Sequence, residues 1–465
     1  MLEGRVLVLC GLGGVAALFA YACGGTGDAG LDSGPPDTGA GMDVLVDNTV
    51  PTGDGSLGDA SSGDAADGDG GVVDAGPLCL QSTCVVQLAV GGFHACGLVK
   101  DGTVRCWGRN NYGQLGVGLP GDGGAFDPNP RPVPQTPPLS GVSQISASHF
   151  SIQLSSTCAL VGSAAQCFGN NSYGQLGLSA DAGAFDNNPH PTPSPVTGVP
   201  GLASVWAGNL HGCAVSTTGD MYCWGDDQNM ELGRPAGNVQ ILPAGLVVTD
   251  AGPATAVGPG YDFGLGLLKA GGVVSWGSNS VDQLGRTPAQ SPDLAAAIGS
   301  LSGVTSIAAG FQHACAVAGG ALYCWGHNAN GQAGSSGDPV SAPTKVDVAG
   351  KTLVQVTAGY SHTCVLASDH TVYCWGQNDF GQCGTGLGDA GFNNADVTTP
   401  TQVQGLSGQA LEVQAGSNHT CARIDGGSVM CWGANDRGQL GQGLVDGGVP
   451  MDTSPHPTPV TVVFP

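Results

Sequence analysis

Short apolar stretches, five or six residues long and closed off by Gly, Pro or Asp, recur along the chain from about Leu88 onward. Examples run from Val142 to Ala147, Ala203 to Ala207, Val304 to Ala309, Val354 to Ala358 and Leu411 to Ala415. Runs of this length, rich in β-branched residues and bounded by turn formers, predict strands. Each is followed by two more apolar segments folded about a turn, as in HACGLVKDGTVRCWG from His94 to Gly108. A Pro-rich loop of varying length comes next, with a fourth strand expected around it. The pattern predicts about four strands per unit.

The hairpins end in a ten-residue block, first WGRNNYGQLG from Trp107 to Gly116. Its equivalents start at Phe168, Trp224, Trp276, Trp325, Trp375 and Trp432, at steps of 61, 56, 52, 49, 50 and 57 residues. Seven copies at a period near 50 define a repeat architecture, and four-stranded units repeated around a ring predict an all-β, seven-bladed β-propeller. The Trp supplies apolar area between blades. In the block's Leu position Cys383 stands as a buried free thiol. The final strand, Pro459 to Phe464, is expected to pair with Val85 to Val90 and close the ring, since an open edge invites aggregation. In the second unit the strand start, near Ile145 or near Ile152, stays open.

Turn chemistry pairs the cysteines. Cys96 and Cys106, Cys213 and Cys223, Cys364 and Cys374, and Cys421 and Cys431 are ten apart and centre on three-residue turns, three of them with Gly third. Cys158 and Cys167, and Cys315 and Cys324, are nine apart and centre on two-residue turns. A turn that shortens with the spacing keeps each pair opposed across the hairpin, at a separation a disulfide spans. Six hairpin disulfides follow. The fourth unit carries Leu265 and Ser275 at these positions, so both cysteines are lost together.

The elements GGFHACGL at 91–98, DGTVRCWG at 101–108 and NYGQLG at 111–116 resemble the regulator of chromosome condensation repeat. The resemblance covers about Leu88 to Pro465 and implies a seven-bladed propeller. The paired cysteines resemble the exported bacterial branch of that family. The family's eukaryotic founder exchanges guanine nucleotides on a small GTPase and binds chromatin. A secreted bacterial relative in fold inhibits β-lactamases through one propeller face.

Charge narrows these options. The 465 residues carry a net charge of −24 with 12 Lys and Arg. Phosphate backbones require a basic footprint, so nucleic-acid binding is excluded. Twelve of the 17 Cys fall in six regular pairs, which indicates an oxidising compartment. Residues 1–22 read as a signal peptide of lipoprotein type. Ala20-Tyr21-Ala22-Cys23-Gly24 resembles a bacterial lipobox, with Cys23 as the lipidated residue. Residues 23–84 read as a Gly/Asp/Ser-rich tether with eleven Asp between Asp28 and Asp74, too poor in apolar area to offset ordering entropy. Residues 85–465 form the propeller. The pairing of Cys79 and Cys84 stays open.

Two residue sets are candidates for a site. His94, His211, His313, His362 and His419 each precede the first hairpin Cys by two; structural hydrogen bonding is expected, with a metal-binding ring as the sharper alternative. The loops after the blocks share an Asp pattern: Asp122 with Asp127, Asp181 with Asp186, Asp389 with Asp396, and Asp446 with Asp452. Repeat symmetry places them on one face, where variable loops bind partners and oxygen clusters could take calcium. No metal site is assigned and no other cofactor is expected. The reading is a monomeric, non-catalytic binding or scaffold protein. It is lipid-anchored in the bacterial envelope, at the outer membrane or cell surface, with secretion as second choice. It presents one face to a protein or glycan. The alternatives are an extracytoplasmic enzyme with its site in the central channel and, by resemblance, guanine-nucleotide exchange, which export and acidity disfavour.

Overall fold

A computed structural model describes residues 84–118, 127–149, 154–178, 185–235, 240–287, 293–388, 391–392, 394–443 and 452–464. Residues 1–83, which carry the expected signal peptide, Cys23 and the expected tether, lie outside the described residues, as do Asp122, Asp181, Asp389 and Asp446. The described chain is almost wholly β, with a single short 3-10 turn at Asp425–Gly427. Seven antiparallel sheets of four strands each follow one another and form a seven-bladed propeller. Within each blade the strands lie in chain order.

The inner strands are Val85–Val90, Val142–Ala147, Leu202–Ala207, Ala254–Pro259, Val304–Ala309, Leu353–Ala358 and Ala410–Ala415. The second unit therefore starts its inner strand before Ile145, and Ser156–Val161 is its second strand. The two middle strands of each blade are almost fully buried, whereas outer strands such as Ile241–Leu246 and Val397–Gln402 are half-exposed. The alternation of the sequence thus fades towards the middle of the blade, where both faces meet a neighbour.

The turn arithmetic holds in the backbone. Gly102, Gly219 and Gly427 take the left-handed third position of three-residue turns, with φ of 79°, 92° and 84°, a conformation that suits a residue without a Cβ. His370 occupies the same position at φ 65°. Gly319 and Gly320 both have positive φ, the signature of a two-residue primed turn. All six predicted disulfides form, with Cα separations of 4.0 to 4.1 Å. Leu265 and Ser275 pair at the equivalent register. Blade 4 fills the gap differently: Arg286 donates to the Ser275 hydroxyl and carbonyl and to the Leu294 carbonyl at 2.8 to 3.1 Å, and pairs with Asp293 at 2.8 Å. Cys383 is a free, buried cysteine in the position that Leu115, Leu176, Leu232, Leu284, Ala333 and Leu440 fill elsewhere, and burial pushes its thiol well up.

Ring closure differs from the sequence expectation. The C-terminal strand His456–Thr461 pairs with Val429–Gly433 of its own blade, not with Val85–Val90. The reason is a matter of count: the last unit supplies four strands by itself, and so does the first. The ring closes instead through side chains and one backbone bond, from the Gly443 amide to the Pro132 carbonyl at 3.2 Å. Phe464 meets Trp107 edge-on at 5.7 Å, and Val85, Leu88, Val90 and Trp107 share a core with Cys421, Leu440 and Val462.

Candidate binding face

The register places the pieces on two faces. His94 pairs with Gly108, and Gly108 with Arg131. The turn between inner and second strand, the block after the third strand and the loop into the outer strand therefore share one end of the blade. The hairpin turns, such as Lys100-Asp101-Gly102, occupy the opposite end. The described ends of the variable loops thus lie at one end of the blades.

The block on that face is architectural. Its Asn oxygen accepts the amide five residues on in every blade, from Asn110 with Leu115 at 3.1 Å to Asn435 with Leu440 at 3.1 Å, Asp227 serving with Leu232 at 3.0 Å. The carbonyl of its Gln then accepts the indole N–H of the next blade's Trp. The pairs run Trp224 to Gln175, Trp325 to Gln283, Trp375 to Gln332, Trp432 to Gln382 and, across the ring closure, Trp107 to Gln439, at 2.9 to 3.0 Å. In blade 3 Glu231 takes the Gln position and accepts from Trp276 at 2.8 Å. The last Gly of each block lies under the next blade's ring: a Cβ on Gly285 would stand 2.6 Å from the Trp325 indole. Each block is therefore a clamp on the following blade.

The histidines belong to the same clamp. His94, His313 and His362 place Nε2 at 2.9, 3.0 and 2.9 Å from the hydroxyls of Thr157, Thr363 and Thr420 on the next blade. Each hydroxyl donates to a block carbonyl, that of Gln114, Gln332 or Gln382. Its oxygen must then accept from the imidazole, which fixes the Nε2–H tautomer. Gly264 and Ala95 stand where Thr would be for His211 and His419, and neither nitrogen of those two rings has a hydrogen-bond partner among the described residues. All five rings are fully buried, and desolvation lowers their pKa to about 3. The rings sit one per blade within these packed seams, and among the described residues no three His, Cys, Asp or Glu side chains converge as a metal-binding set.

The described members of the Asp pattern shape the entry to the outer strand. In Asp127-Pro-Asn-Pro-Arg131, Asp186-Asn-Asn-Pro-His190 and Asp452-Thr-Ser-Pro-His456 the carboxylate accepts the amide two residues on, at 3.0, 2.7 and 2.9 Å. It also meets the basic residue four on: Arg131, His190 at 3.2 Å and His456 at 2.7 Å. Asp396 instead accepts from Asn330 of the preceding blade at 3.0 Å. These four residues hold the loop ends in place.

The channel wall is polar but occupied. Gln87 accepts the Ile145 amide, Gln144 that of Val205, Ser306 that of Val356 and Gln355 that of Val413. The inner strands of blades 2, 3, 6 and 7 thereby have their open edges capped by a side chain from the blade before them. The cavity between Gln87, Gln144, Ser146, His149 and Gln414 measures about 20 Å³, room for a water molecule.

Two departures from the repeat went unread in the sequence, although aligning the seven blocks exposes both. Blade 3 carries Asp226, Asp227 and Glu231 where the other blades have mainly amides. Burial raises all three pKa values, Asp227 to about 6 and Glu231 well above its usual range, where the charge of Asp226 adds to the effect of burial. The second departure is a row of aromatic residues on blades 4 to 6.

The RCC1-like domain model matches residues 166–464, and the regulator of chromosome condensation repeat matches 85–114 and 101–151. The ultraviolet-B receptor UVR8 of Arabidopsis thaliana is 28% identical over 372 residues, covering 77% of this chain and 79% of that protein. The human E3 ubiquitin-protein ligase HERC2 is 28% identical over 364 residues, 74% of this chain, but the match spans 7% of HERC2. Yeast RCC1 (Prp20), solved bound to Kap60, superposes with a TM-score of 0.64 at 21% identity, covering 88% of this chain and 91% of that one.

Proposed function

The chain belongs to the RCC1-like domain family, and we propose that it is a non-catalytic binding propeller that presents its variable-loop face to a protein or glycan outside the cytoplasm. One observation carries the reading: the invariant parts of the repeat are consumed by contacts between blades, which leaves recognition to the loops and to positions where blades differ. A structurally similar propeller, yeast RCC1, was solved bound to a protein, Kap60. Six hairpin disulfides suit an oxidising compartment. The sequence at Cys23 supports a lipid anchor, and the Asp-rich composition of the segment after it supports a tether to the first blade, whose first strand starts at Val85. Guanine-nucleotide exchange rests on family membership alone, and lipid on Cys23 would set it aside. Calcium in the Asp loops is a secondary proposal that calcium titration of the whole chain tests.

The deciding experiment is affinity capture from envelope extracts, comparing the intact chain with one whose loops at 117–130, 179–185 and 443–451 are shortened. Partners retained by the first and lost by the second are expected. Equal recovery by both would overturn the assignment of the face. Separately, Cys23→Ala is expected to move the protein from the membrane to the soluble fraction, and unchanged fractionation would remove the anchor.

A further inference from the structure

Residues that repeat in every blade do the same architectural work in each. A set that departs from the repeat on adjacent blades, and stays out of the core, calls for another account. The second position of the turn after the inner strand is Gly92, His149, Asn209 and Ser417 in blades 1, 2, 3 and 7. In blades 4, 5 and 6 it is Tyr261, Phe311 and Tyr360. These rings pack on one another rather than in the main core and stay half-buried. Tyr261 and Phe311 have centroids 5.5 Å apart at 39°; Phe311 and Tyr360 stack at 4.7 Å within 10° of parallel. The row lies on the variable-loop face, because each turn adjoins the end of its third strand, Phe263 pairing with Gly277, His313 with Gly326 and His362 with Gly376.

We propose that this row is the floor of a docking groove for a basic segment of a partner protein, whose Lys or Arg stems lie along the rings while their heads reach the surrounding carboxylates. The inference rests on the binding reading above and names the partner's chemistry. Charge complementarity selects the occupant. On this face of blades 4 to 6 stand Asp282, Asp338, Asp379 and Asp396, while Arg286 is already held by Asp293. The lysines of these blades lie away from the row. Lys269 is in a hairpin turn, Lys345 pairs with Tyr323 in mid-strand, and Lys351 binds Asp369 of a hairpin turn at 2.6 Å. At the Tyr261 end the buried carboxyls of Asp226, Glu231 and Asp262 act on the phenol and, after burial itself, help push its pKa up. Long basic side chains suit such a surface, since their stems cover apolar area and their heads stay with charge or water. Centroid steps of 5.5 and 4.7 Å make the row about 10 Å long, roughly three residues of extended chain. A glycan fits less well, because sugar rings need open aromatic faces and stacking covers those between Phe311 and Tyr360.

The test uses calorimetry on the whole chain with a twelve-residue peptide of alternating Arg and Leu. An Arg/Ser peptide of equal charge, a Glu/Leu peptide and chitohexaose serve as comparisons. The variants are Phe311→Ala, Tyr360→Ala and, as a remote control on an exposed inner-strand residue, Val354→Ala, each checked for an unchanged melting temperature. Tighter binding of the Arg/Leu peptide than of the Arg/Ser peptide is expected, with at least a tenfold loss in Phe311→Ala and Tyr360→Ala and none in Val354→Ala. General attraction to an acidic protein would not respond to removal of an uncharged ring. Equal binding by both ring variants, no binding of the Arg/Leu peptide, or ring-dependent binding of chitohexaose instead would overturn the proposal. Envelope partners captured by the loop face but indifferent to Phe311→Ala would leave the broader reading standing and this one refuted.

Discussion

The Glu412 carboxylate accepts the backbone amide of Leu88 at 3.0 Å and 3.2 Å, joining residues 324 apart and the seventh blade to the first. Elsewhere the same task falls to a neutral side chain such as Gln87 or Gln355. Here the charged group is also met by Arg423 at 3.0 Å and Gln414 at 3.3 Å.

Removing this acceptor should open the ring's seam. Glu412→Ala orphans a buried amide and a half-buried guanidinium, and is expected to lower stability by about 1–3 kcal/mol. Glu412→Gln restores the side chain used in the other blades and should cost less. Urea denaturation of the three proteins checks the order; a Gln variant as weak as Ala would contradict it.

The Thr relay makes a paired prediction. Thr420→Val removes the hydroxyl between His362 and the Gln382 carbonyl, and should cost about 1–3 kcal/mol by stranding buried polar groups. Ala95 occupies the equivalent position before the unpartnered His419. Ala95→Thr should therefore stabilise, by about 0.5–1.5 kcal/mol for one new hydrogen bond. Thermal melts of both variants give the signs.

Blade 4 depends on Arg286 in place of a disulfide. Arg286→Ala breaks a half-buried set of charge-assisted bonds to Asp293, Ser275 and Leu294, and is expected to cost about 1.5–3 kcal/mol. Its effect should persist under reducing conditions. Hydrogen exchange should show the loss centred on 263–297.

Two sets of buried groups should make stability depend on pH in opposite directions. Burial holds the five histidines at about 3, below their ordinary 6.5. The unfolded chain then binds more protons below pH 6.5, and stability is lost as pH falls from there towards 3. Asp226, Asp227 and Glu231 shift upward through burial. Their contribution is complete below the ordinary carboxylate range and is lost as pH rises through the folded value, about 6 for Asp227. Asp227→Asn and Glu231→Gln restore the side chains that the other six blocks carry, and should raise stability at pH 7–8 while flattening that decline. Denaturation midpoints measured from pH 4 to 9 test both signs.

Much of the fold was legible because it is local. The spacing of Cys315 and Cys324 set a two-residue turn, and that of Cys96 and Cys106 a three-residue turn, since register inside a hairpin depends on nothing beyond the hairpin. The site was legible in outline only. Asp127, Asp186 and Asp452 form a common pattern in sequence, but whether a carboxylate faces a ligand or its own strand four residues on depends on a fold within the loop.

By itself the sequence determined seven units, their turns, their disulfides and the buried place of Cys383. The tertiary structure decided how the units meet: Trp375 on the Gln332 carbonyl, His362 on Thr420, Glu412 on Leu88, and the Tyr261–Phe311–Tyr360 row. Those partners lie from 43 to 324 residues apart, or in different blades. Only the curvature of the closed ring brings them together, and no periodicity in one unit records which side of the next it will touch.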